Sequence, residues 1–338
     1  MSDQVTFAHV LQFTTNVKHR LQQEGSKVRG LVSTGSHVGN GAVPVEQIGA
    51  VTAQERTTRH GDTPILDTPH SRRWVFPRDF EWGDMVDKQD LIRMLIDPKS
   101  PYTTAGVNAL GRQIDDLLIA AAIGTSQVGT VAGGGATTPE TFDTTAGTGF
   151  LVAAGAVGLT VSKLRQTWEK FANTNMDMDR EEFYILIGPQ QANNLFNETQ
   201  VVSFDFNSQK PLPNARLTPF MGFNFIVTTR LPKVVADRQC IAFTRSGLYL
   251  GLWNDIEVKA DQRADKGFNW QLYSRMTVGA TRLEQGRVIQ IDSGMLGGTF
   301  YPGGAPSALE IRGSSITAVY ANRREPLRVP HLAPGATP

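Results

Sequence analysis

The sequence predicts an α+β fold. In the first half of the chain, apolar residues recur at three- and four-residue intervals, which indicates helices separated by short strand-like runs. From residue 221 onward, strand-like runs follow one another almost without interruption. This order favours a mixed architecture over a doubly wound parallel sheet. With 338 residues, of which 40% are hydrophobic and 19% charged, the chain can form one large or two moderate domains.

The best-specified element is a helix over residues 103–123. Thr103 or Thr104 can accept a hydrogen bond from a free backbone N–H at its start. Gly124 can adopt the left-handed conformation that closes its end. One apolar stripe predicts that the helix packs on a sheet or another helix. The stripe consists of Val107, Leu110, Ile114, Leu117, Leu118 and Ala121.

The other faces of this helix are polar. Asn108, Gln113 and Asp115 lie away from the apolar stripe. Arg112 and Asp116 are one turn apart, so the spacing predicts an ion pair between them.

Residues 1–45 are predicted to form an arm without a core of its own. Thr6 can cap a first amphipathic helix and Gly25 can end it. The glycine- and serine-rich segment that follows has few bulky residues, so it must be mobile or packed against another surface.

Residues 46–83 predict two extended runs joined by a turn between His60 and Pro69. A two-stranded ribbon alone is marginal in water, so contact with another surface must stabilise it. Its arginines are either solvated edge charges that prevent strand aggregation or partners for acidic groups of a neighbouring subunit. The ribbon's need for a partner favours the second interpretation. These arginines are Arg56, Arg59, Arg72, Arg73 and Arg78.

Two further segments flank the long helix. A helix is predicted from Asp84 to Ile96, stopped by Asp97-Pro98. The glycine- and threonine-rich stretch 125–148 predicts an exposed loop with short strand contacts.

The rest of the chain supplies one more amphipathic helix and most of the strands. The helix is defined by Val161, Leu164, Trp168 and Phe171. A strand at 183–189 precedes a helical turn at 190–197, and further strands lie within 221–232, 238–253, 254–261 and 269–283. In the tail, ALEIR and ITAVY flank a glycine-serine turn in a hairpin, followed by a proline-rich end.

Composition excludes several classes of protein. The net charge of +1 gives no global argument for nucleic-acid binding. The sequence has neither an apolar run long enough to cross a bilayer nor a secretion signal, so we expect synthesis and use in the cytosol. Cys240 is the only cysteine, which precludes an internal disulfide, and its apolar surroundings predict a small buried hydrophobe.

No enzyme or cofactor motif is complete. Gly135 stands where a phosphate loop needs lysine, and a dinucleotide-type pattern beginning at Gly147 has Val152 in place of its third glycine. A calcium-loop pattern after residue 174 has Arg180 where glycine is required. The six histidines form no zinc-type pair. We therefore predict no catalytic residues, no cofactor and no metal site.

The order of these elements, together with three stretches of sequence, resembles the tailed-phage major capsid proteins of the Hong Kong 97-like fold. Residues 72–124, RRWVFPRDFEWG to LLIAAAIG, are similar to the stretch that joins the extended loop to the spine helix in that family. MGFNFIVTTRLP is similar to the return from the axial to the peripheral domain, and DIEVKAD and TVGATRLEQGRVIQID to the final peripheral strands. The resemblance covers most of residues 1–293.

The resemblance implies an organisation in which the arm and the loop lie across neighbouring subunits. The C-terminal extension either clasps a neighbour or decorates the surface. The implied regions are an N-terminal arm (1–45), an extended loop (46–83), a peripheral domain (84–160 and 236–293) with its spine helix at 103–123, an axial domain (161–235) and a C-terminal extension (294–338).

The resemblance also implies the function: a structural major capsid protein forming hexamers and pentamers of an icosahedral head that encloses double-stranded DNA without sequence specificity. Such a protein is assembled in the host bacterial cytoplasm and resides in the virion. The implied partners are further copies of the chain and a portal protein, with room for a cement or decoration protein and no membrane. Arg112 is predicted to contact a neighbouring subunit. Basic groups facing the interior are predicted at Lys18, Arg20, Lys27 and Arg29.

Two departures from the family pattern lead to further expectations. No lysine occurs between Lys27 and Lys88, so we predict a shell without the lysine-to-asparagine cross-links of some relatives. The short segment before the extended loop predicts a separate scaffolding protein. The nearest alternative is an encapsulin-like compartment shell. The packaged cargo would distinguish such a shell from a phage head. A second alternative is a cytosolic α/β enzyme that uses the loop from Gly129 to Gly149. This alternative is disfavoured because the sequence supplies no base, no nucleophile and no complete cofactor motif.

Overall fold

A computed structural model describes residues 22–39, 41–55, 57, 59, 65, 67–86, 99–129, 138–145, 147–155, 157–198, 201, 217–234, 237–294, 308–312 and 315–319. The helices in this part of the chain are Lys99–Ile123 (α1), Val161–Asn173 (α2) and Pro189–Phe196 (α3). The strands are Ser33–Ser36 (β1), Ala42–Ile48 (β2), His70–Val75 (β3), Arg78–Val86 (β4), Ser126–Val128 (β5), Thr138–Glu140 (β6), Leu151–Val152 (β7), Phe183–Ile187 (β8), Phe223–Val227 (β9), Lys233–Val234 (β10), Asp237–Thr244 (β11), Leu248–Arg263 (β12), Asn269–Arg282 (β13), Val288–Gly294 (β14), Ala308–Arg312 (β15) and Ser315–Val319 (β16).

The chain divides into two compact units, Met1–Met295 and Leu296–Pro338. In the second unit, β15 and β16 pair antiparallel from Ala308↔Val319 to Arg312↔Ser315. The hairpin predicted for the tail is therefore confirmed.

Helix α1 packs against a four-stranded sheet in the order β1-β12-β13-β4. The predicted apolar stripe is confirmed at Leu110, Ile114, Leu117 and Leu118, which are all buried, whereas Val107 and Ala121 are half-buried. Gly106 allows Trp82 of β4 to approach the helix: a Cβ atom at this position would lie 2.4 Å from the Trp82 ring. The long helix is thus fixed to the sheet by apolar contacts along several turns.

Neither end of α1 is capped in the predicted way. The helix begins at Lys99, so Thr103 and Thr104 lie inside it and do not cap it. The C-terminus is at Ile123 as predicted, with Gly124 N–H donating to the Ala120 carbonyl at 2.9 Å. However, Gly124 is not among the glycines with positive φ, so the left-handed closure is wrong.

Strand β4 replaces the start of a predicted helix. Asp84–Val86 pair with β13, with Asp84 opposite Leu272, and the prediction of a helix starting at Asp84 is therefore wrong. Pairing along the whole of β4 with the long strand β13 outweighs the local helical signal. Residues 87–98, where the rest of that helix was predicted, lie outside the described residues.

The two runs predicted as a ribbon pair as β2 and β3, which confirms their antiparallel arrangement. They belong to a sheet in the order β2-β3-β5-β6. The strands β5 and β6 are the short contacts predicted within 125–148. β2 begins at Ala42, a few residues before the predicted start of the extended loop.

The other large sheet has the order β7-β14-β11-β8-β9, with β10 paired to β11. Its core includes a cluster of three aromatic rings, Phe171, Phe183 and Phe223, with centroids 5.1 to 6.4 Å apart. Cys240 on β11 is fully buried, and burial raises the pKa of its thiol to about 12. Its predicted role as a buried hydrophobe is confirmed.

Helix α2 packs against β14 and β7 on this sheet. Val161, Leu164 and Phe171 are buried as predicted, but Trp168 is 45% exposed. Thr167 occupies the buried position instead, with its hydroxyl donating to the Lys163 carbonyl at 2.8 Å. Assignment of Trp168 to the apolar face is therefore wrong.

Candidate functional site

Residues 22–39, called here the docked arm, lie on the same chain's α1 and β12. The main anchor is the carboxylate of Asp115, which is 1% exposed at the middle of α1. Four donors from the arm satisfy both of its oxygen atoms. The donors are Gln23 Nε2, Ser26 Oγ, Lys27 N and Val28 N, the two backbone bonds each being 3.1 Å long.

Arg112 contributes a second contact to the docked arm. Its Nη1 donates to Gln22 Oε1 and to the Gln23 carbonyl, each at 3.1 Å. The predicted pair with Asp116 is absent among the described contacts, because Asp116 binds Arg230 instead. An interaction of Arg112 with a neighbouring subunit stays a prediction.

Close backbone approach fixes the arm's position on α1. A Cβ atom at Gly111 would lie 2.6 Å from the Gly25 carbonyl carbon and 2.9 Å from Ser26 N. Gly25 itself has φ of 63°, a conformation that favours glycine. A glycine inside a helix lowers stability by about 1 kcal/mol relative to alanine. At position 111, the absence of a side chain allows the arm to lie directly on the helix.

The second half of the docked arm covers the edge of β12. Strand β1 pairs parallel with Tyr249–Leu252, and Val28 and Val32 are buried at 1% and 2% exposure. His37 Nε2 lies 2.7 Å from the Tyr249 hydroxyl. The backbone of residues 22–39 is therefore bonded to its own subunit at several points, although some side chains, such as that of Val38, are exposed.

Two predicted interior-facing basic residues take part in this docking. The Arg29 guanidinium forms a bidentate pair with Asp255 at 2.9 and 2.6 Å. Lys27 Nζ donates to the Val227 carbonyl at 2.9 Å. Lys18 and Arg20 lie outside the described residues. A role of these four residues at the inner surface stays a prediction.

Next to Asp115, Asp116 binds a different part of the chain. Its carboxylate accepts from Arg230 Nε at 2.5 Å and also from Nη2. Arg230 follows β9, the strand whose last residue, Val227, accepts the bond from Lys27. Asp115, Asp116, Lys27 and Arg230 are called the arm–sheet junction.

The predicted arginines of the ribbon have different environments. Arg72 pairs with Glu46 across β2 and β3, and Arg78 is exposed on β4. Arg59 lies in the connection between β2 and β3, whereas Arg56 is outside the described residues. Contacts of these residues with neighbouring subunits stay predictions.

Arg73 forms part of a buried cluster. Its Nε donates to the Leu283 carbonyl at 2.6 Å, and its guanidinium also binds Glu140. Close by, Arg282 is 1% exposed and its Nη1 donates to the Ala122 and Gly124 carbonyls at 2.9 and 2.8 Å. This guanidinium closes the C-terminus of α1, where positive charge also complements the helix dipole. Burial lowers the pKa of Arg282 to about 10.

Lys163 on α2 is a buried cation held by backbone carbonyls. Its Nζ donates to Val157 O at 2.8 Å and to Asp292 O at 2.9 Å. Burial lowers the pKa of this amine to about 8, against a smaller opposing effect of Asp237 and Asp292. The side chain fastens the start of α2 to the end of β14.

The connection between β2 and β3, counted here from Ile48 at the end of β2, carries exposed apolar side chains. Ile48 is 65% exposed, Val51 54% and Ile65 94%. Within the described part of this connection, these side chains have no buried core of their own, which leaves them available to another surface.

No group of three histidine, cysteine or carboxylate side chains among those described could hold a metal ion. None of the described helices combines the length and hydropathy needed to cross a bilayer.

Sequence reasoning missed Asp115, the Asp116–Arg230 pair, Arg282 and Lys163. One signal for the docking site was present: Asn108, Gly111 and Asp115 recur at three- and four-residue spacing. A glycine within a polar helical stripe is typical of a place where another backbone approaches. Arg282 and Lys163 gave no such signal, because backbone carbonyls bind their side chains and most of these carbonyls lie far away in sequence.

The long helix, the four-stranded sheet beneath it, the second large sheet and the two appendages together form the Hong Kong 97-like fold of tailed-phage major capsid proteins. The chain belongs to the phage capsid protein family, whose model matches residues 5–293. Its role is therefore that of a structural capsid protein.

Solved structures share this fold. The capsid of cyanophage P-SCSP1u has a TM-score of 0.66 at 15% identity, with 86% of this chain and 94% of that chain covered. The capsid of an empty GTA particle gives 0.62 at 14% identity, covering 87% and 98%. The acid-stable capsid of Helicobacter pylori bacteriophage KHP30 gives 0.62 at 10% identity, covering 87% and 98%. No curated protein matches the sequence.

Proposed function

We propose that this chain assembles as hexamers and pentamers into the icosahedral head of a bacteriophage, without cross-links between subunits, and that the head encloses double-stranded DNA. Assembly takes place in the host bacterial cytoplasm. A separate scaffolding protein and a portal protein take part, and a cement or decoration protein can bind the finished shell.

The observation that carries this proposal is the apolar connection between β2 and β3. Ile48, Val51 and Ile65 are more than half exposed. Burying such side chains against a neighbour yields about 1.5–3 kcal/mol each, repeated at every equivalent contact of a symmetric shell. Membership of the phage capsid family and the assembled particles among the structural neighbours support the same conclusion.

The test is to produce the full-length chain together with the scaffolding protein and to examine it by sedimentation and electron microscopy. We expect closed shells with five-fold vertices, and double-stranded DNA in particles recovered from infected cells. A persistent monomer in the presence of scaffold would contradict the proposal. Particles that contain an enzyme instead of DNA would favour the encapsulin-like alternative.

The absence of cross-links has a separate test. Shells boiled in denaturant are expected to run as a single 36.9 kDa band, because no lysine lies between Lys27 and Lys88. A ladder of linked subunits would refute this part of the proposal.

A further inference from the structure

Two adjacent carboxylates at the middle of α1 hold two different parts of the chain. Asp115 accepts its bonds from residues 23–28 of the docked arm. Asp116 binds Arg230, which lies just beyond β9. Because the two aspartates are neighbours on one helix, the docked arm and the segment after β9 meet at the same place.

Lys27 links these two contacts directly. Its backbone N–H donates to Asp115 at 3.1 Å, while its Nζ donates to the Val227 carbonyl at 2.9 Å. Val227 is the last residue of β9, and the next residue, Thr228, is buried and donates its N–H to the Ile187 carbonyl on β8. One residue of the arm therefore bonds both to the helix and to the edge of the six-stranded sheet.

Electrostatics couple the two contacts further. Asp115 is buried, and the arm satisfies it with hydrogen-bond donors. If the arm left, Asp115 would lose all four of these donors. Both aspartates influence Arg230: its pKa is raised, with the hydrogen bond to Asp116 as the largest cause and the charge of Asp115 as a smaller one. Without the arm's donors, Asp115 would compete with Asp116 for this guanidinium.

We propose that the arm–sheet junction makes docking of the arm and fastening of the β9 end a single cooperative event. Any contact that lifts residues 22–28 from α1 then also loosens residues 227–231. Through the junction, docking or release of the N-terminal arm changes how firmly β9 is held. Among the described strands, β9 is an edge strand of its sheet. This coupling belongs to the folded subunit and is independent of whether the chain closes into an icosahedral shell.

Hydrogen exchange of the full-length chain, followed in peptides covering residues 25–31 and 227–231, tests this coupling. Loss of a charge-assisted hydrogen bond is worth about 1.5–3 kcal/mol, so we expect exchange at least about tenfold faster in both segments of Asp115→Asn. Coupling between two sites is reciprocal. Asp116→Asn, which weakens the Arg230 contact, is therefore expected to accelerate exchange at 25–31 as well.

Asp255→Asn is the matched control, since it weakens the Arg29 pair at a part of the arm that does not contact β9. We expect faster exchange around Arg29 and unchanged exchange at 227–231. Acceleration confined to the mutated side in both Asp115→Asn and Asp116→Asn would overturn the proposal.

Lys27→Met provides a milder variant in case the aspartate variants do not fold. It removes the bond from Nζ to Val227 but keeps the backbone bond to Asp115. We expect faster exchange at 227–231 with normal circular dichroism. Unchanged exchange in that segment would contradict the role of Lys27 as the link.

Discussion

The docked arm and the connection between β2 and β3 are both appendages, but they differ in how far their apolar side chains are buried on their own chain. Val28 and Val32 of the arm are almost completely buried on their own chain, while Ile48 and Ile65 of the connection are mostly exposed. The difference arises from α1, which presents Asp115 and Gly111 to the arm. The docked arm is held where its own subunit supplies matched partners. The exposed apolar side chains of the other appendage lack such burial among the described residues, and we predict that a neighbour covers them.

Removing the main anchor should have the largest effect on this contrast. Asp115→Ala leaves the backbone N–H groups of Lys27 and Val28 without acceptors, so we expect the free energy of unfolding to fall by about 2–4 kcal/mol. Urea denaturation of the full-length chain measures this change. Asp255→Ala, which removes a partly exposed ion pair from the same arm, should cost less than about 1 kcal/mol. Equal effects of the two variants would mean that Asp115 is not the anchor.

Much of the fold could be predicted from the sequence, because the spacing of apolar residues indicates a helix or a strand whatever surface that element packs on. Most of the stripe of α1, the strands β8, β9, β11, β12 and β13, and the β15–β16 hairpin follow from it. The docking site could not be predicted in the same way. A buried Asp115 and a buried Arg282 depend on partners that adjoin them only after folding.

Lys163 provides a reference that belongs to neither appendage. Its folded-state pKa of about 8 lies below the ordinary value of 10.5, so the unfolded chain binds more protons between these two pH values. The free energy of unfolding should therefore rise by about 1–2 kcal/mol as pH increases from 8 to 10.5. Below pH 8 this contribution is constant. Lys163→Met should lack the rise, as measured by denaturation at several pH values, and an identical pH profile for the variant would refute the assignment.

A smaller effect is expected where the arm's backbone touches α1. Gly111→Ala improves helix propensity, yet its Cβ atom collides with Gly25, and we expect a net loss of about 1 kcal/mol together with faster tryptic cleavage after Lys27. Gly30→Ala is the control, because a Cβ atom there meets nothing within 4 Å. A stabilised Gly111→Ala subunit with a protected arm would show that the close approach is unimportant.

The smallest effect on subunit stability is expected at the connection between β2 and β3. Ile65→Asp changes a side chain that is 94% exposed, so unfolding should shift by no more than about 0.5 kcal/mol. Shell yield, measured by sedimentation, should nevertheless fall about tenfold because a charge would be buried against a neighbour.

Val38→Asp offers a matched comparison, since Val38 is also 94% exposed but belongs to the docked arm. We expect this variant to assemble normally. If Val38→Asp reduced the yield as much as Ile65→Asp, the two appendages would not differ in the way described.

Electron cryomicroscopy of an assembled shell tests the central contrast most directly, because density can be traced from one appendage to the subunit that holds it. We predict that residues 22–39 lie on α1 and β12 of their own subunit, with residues 27 and 28 bonded to Asp115, and that residues 48–69 contact a neighbour. An arm that crosses to a neighbouring subunit's α1, or a connection that contacts its own subunit alone, would contradict this account.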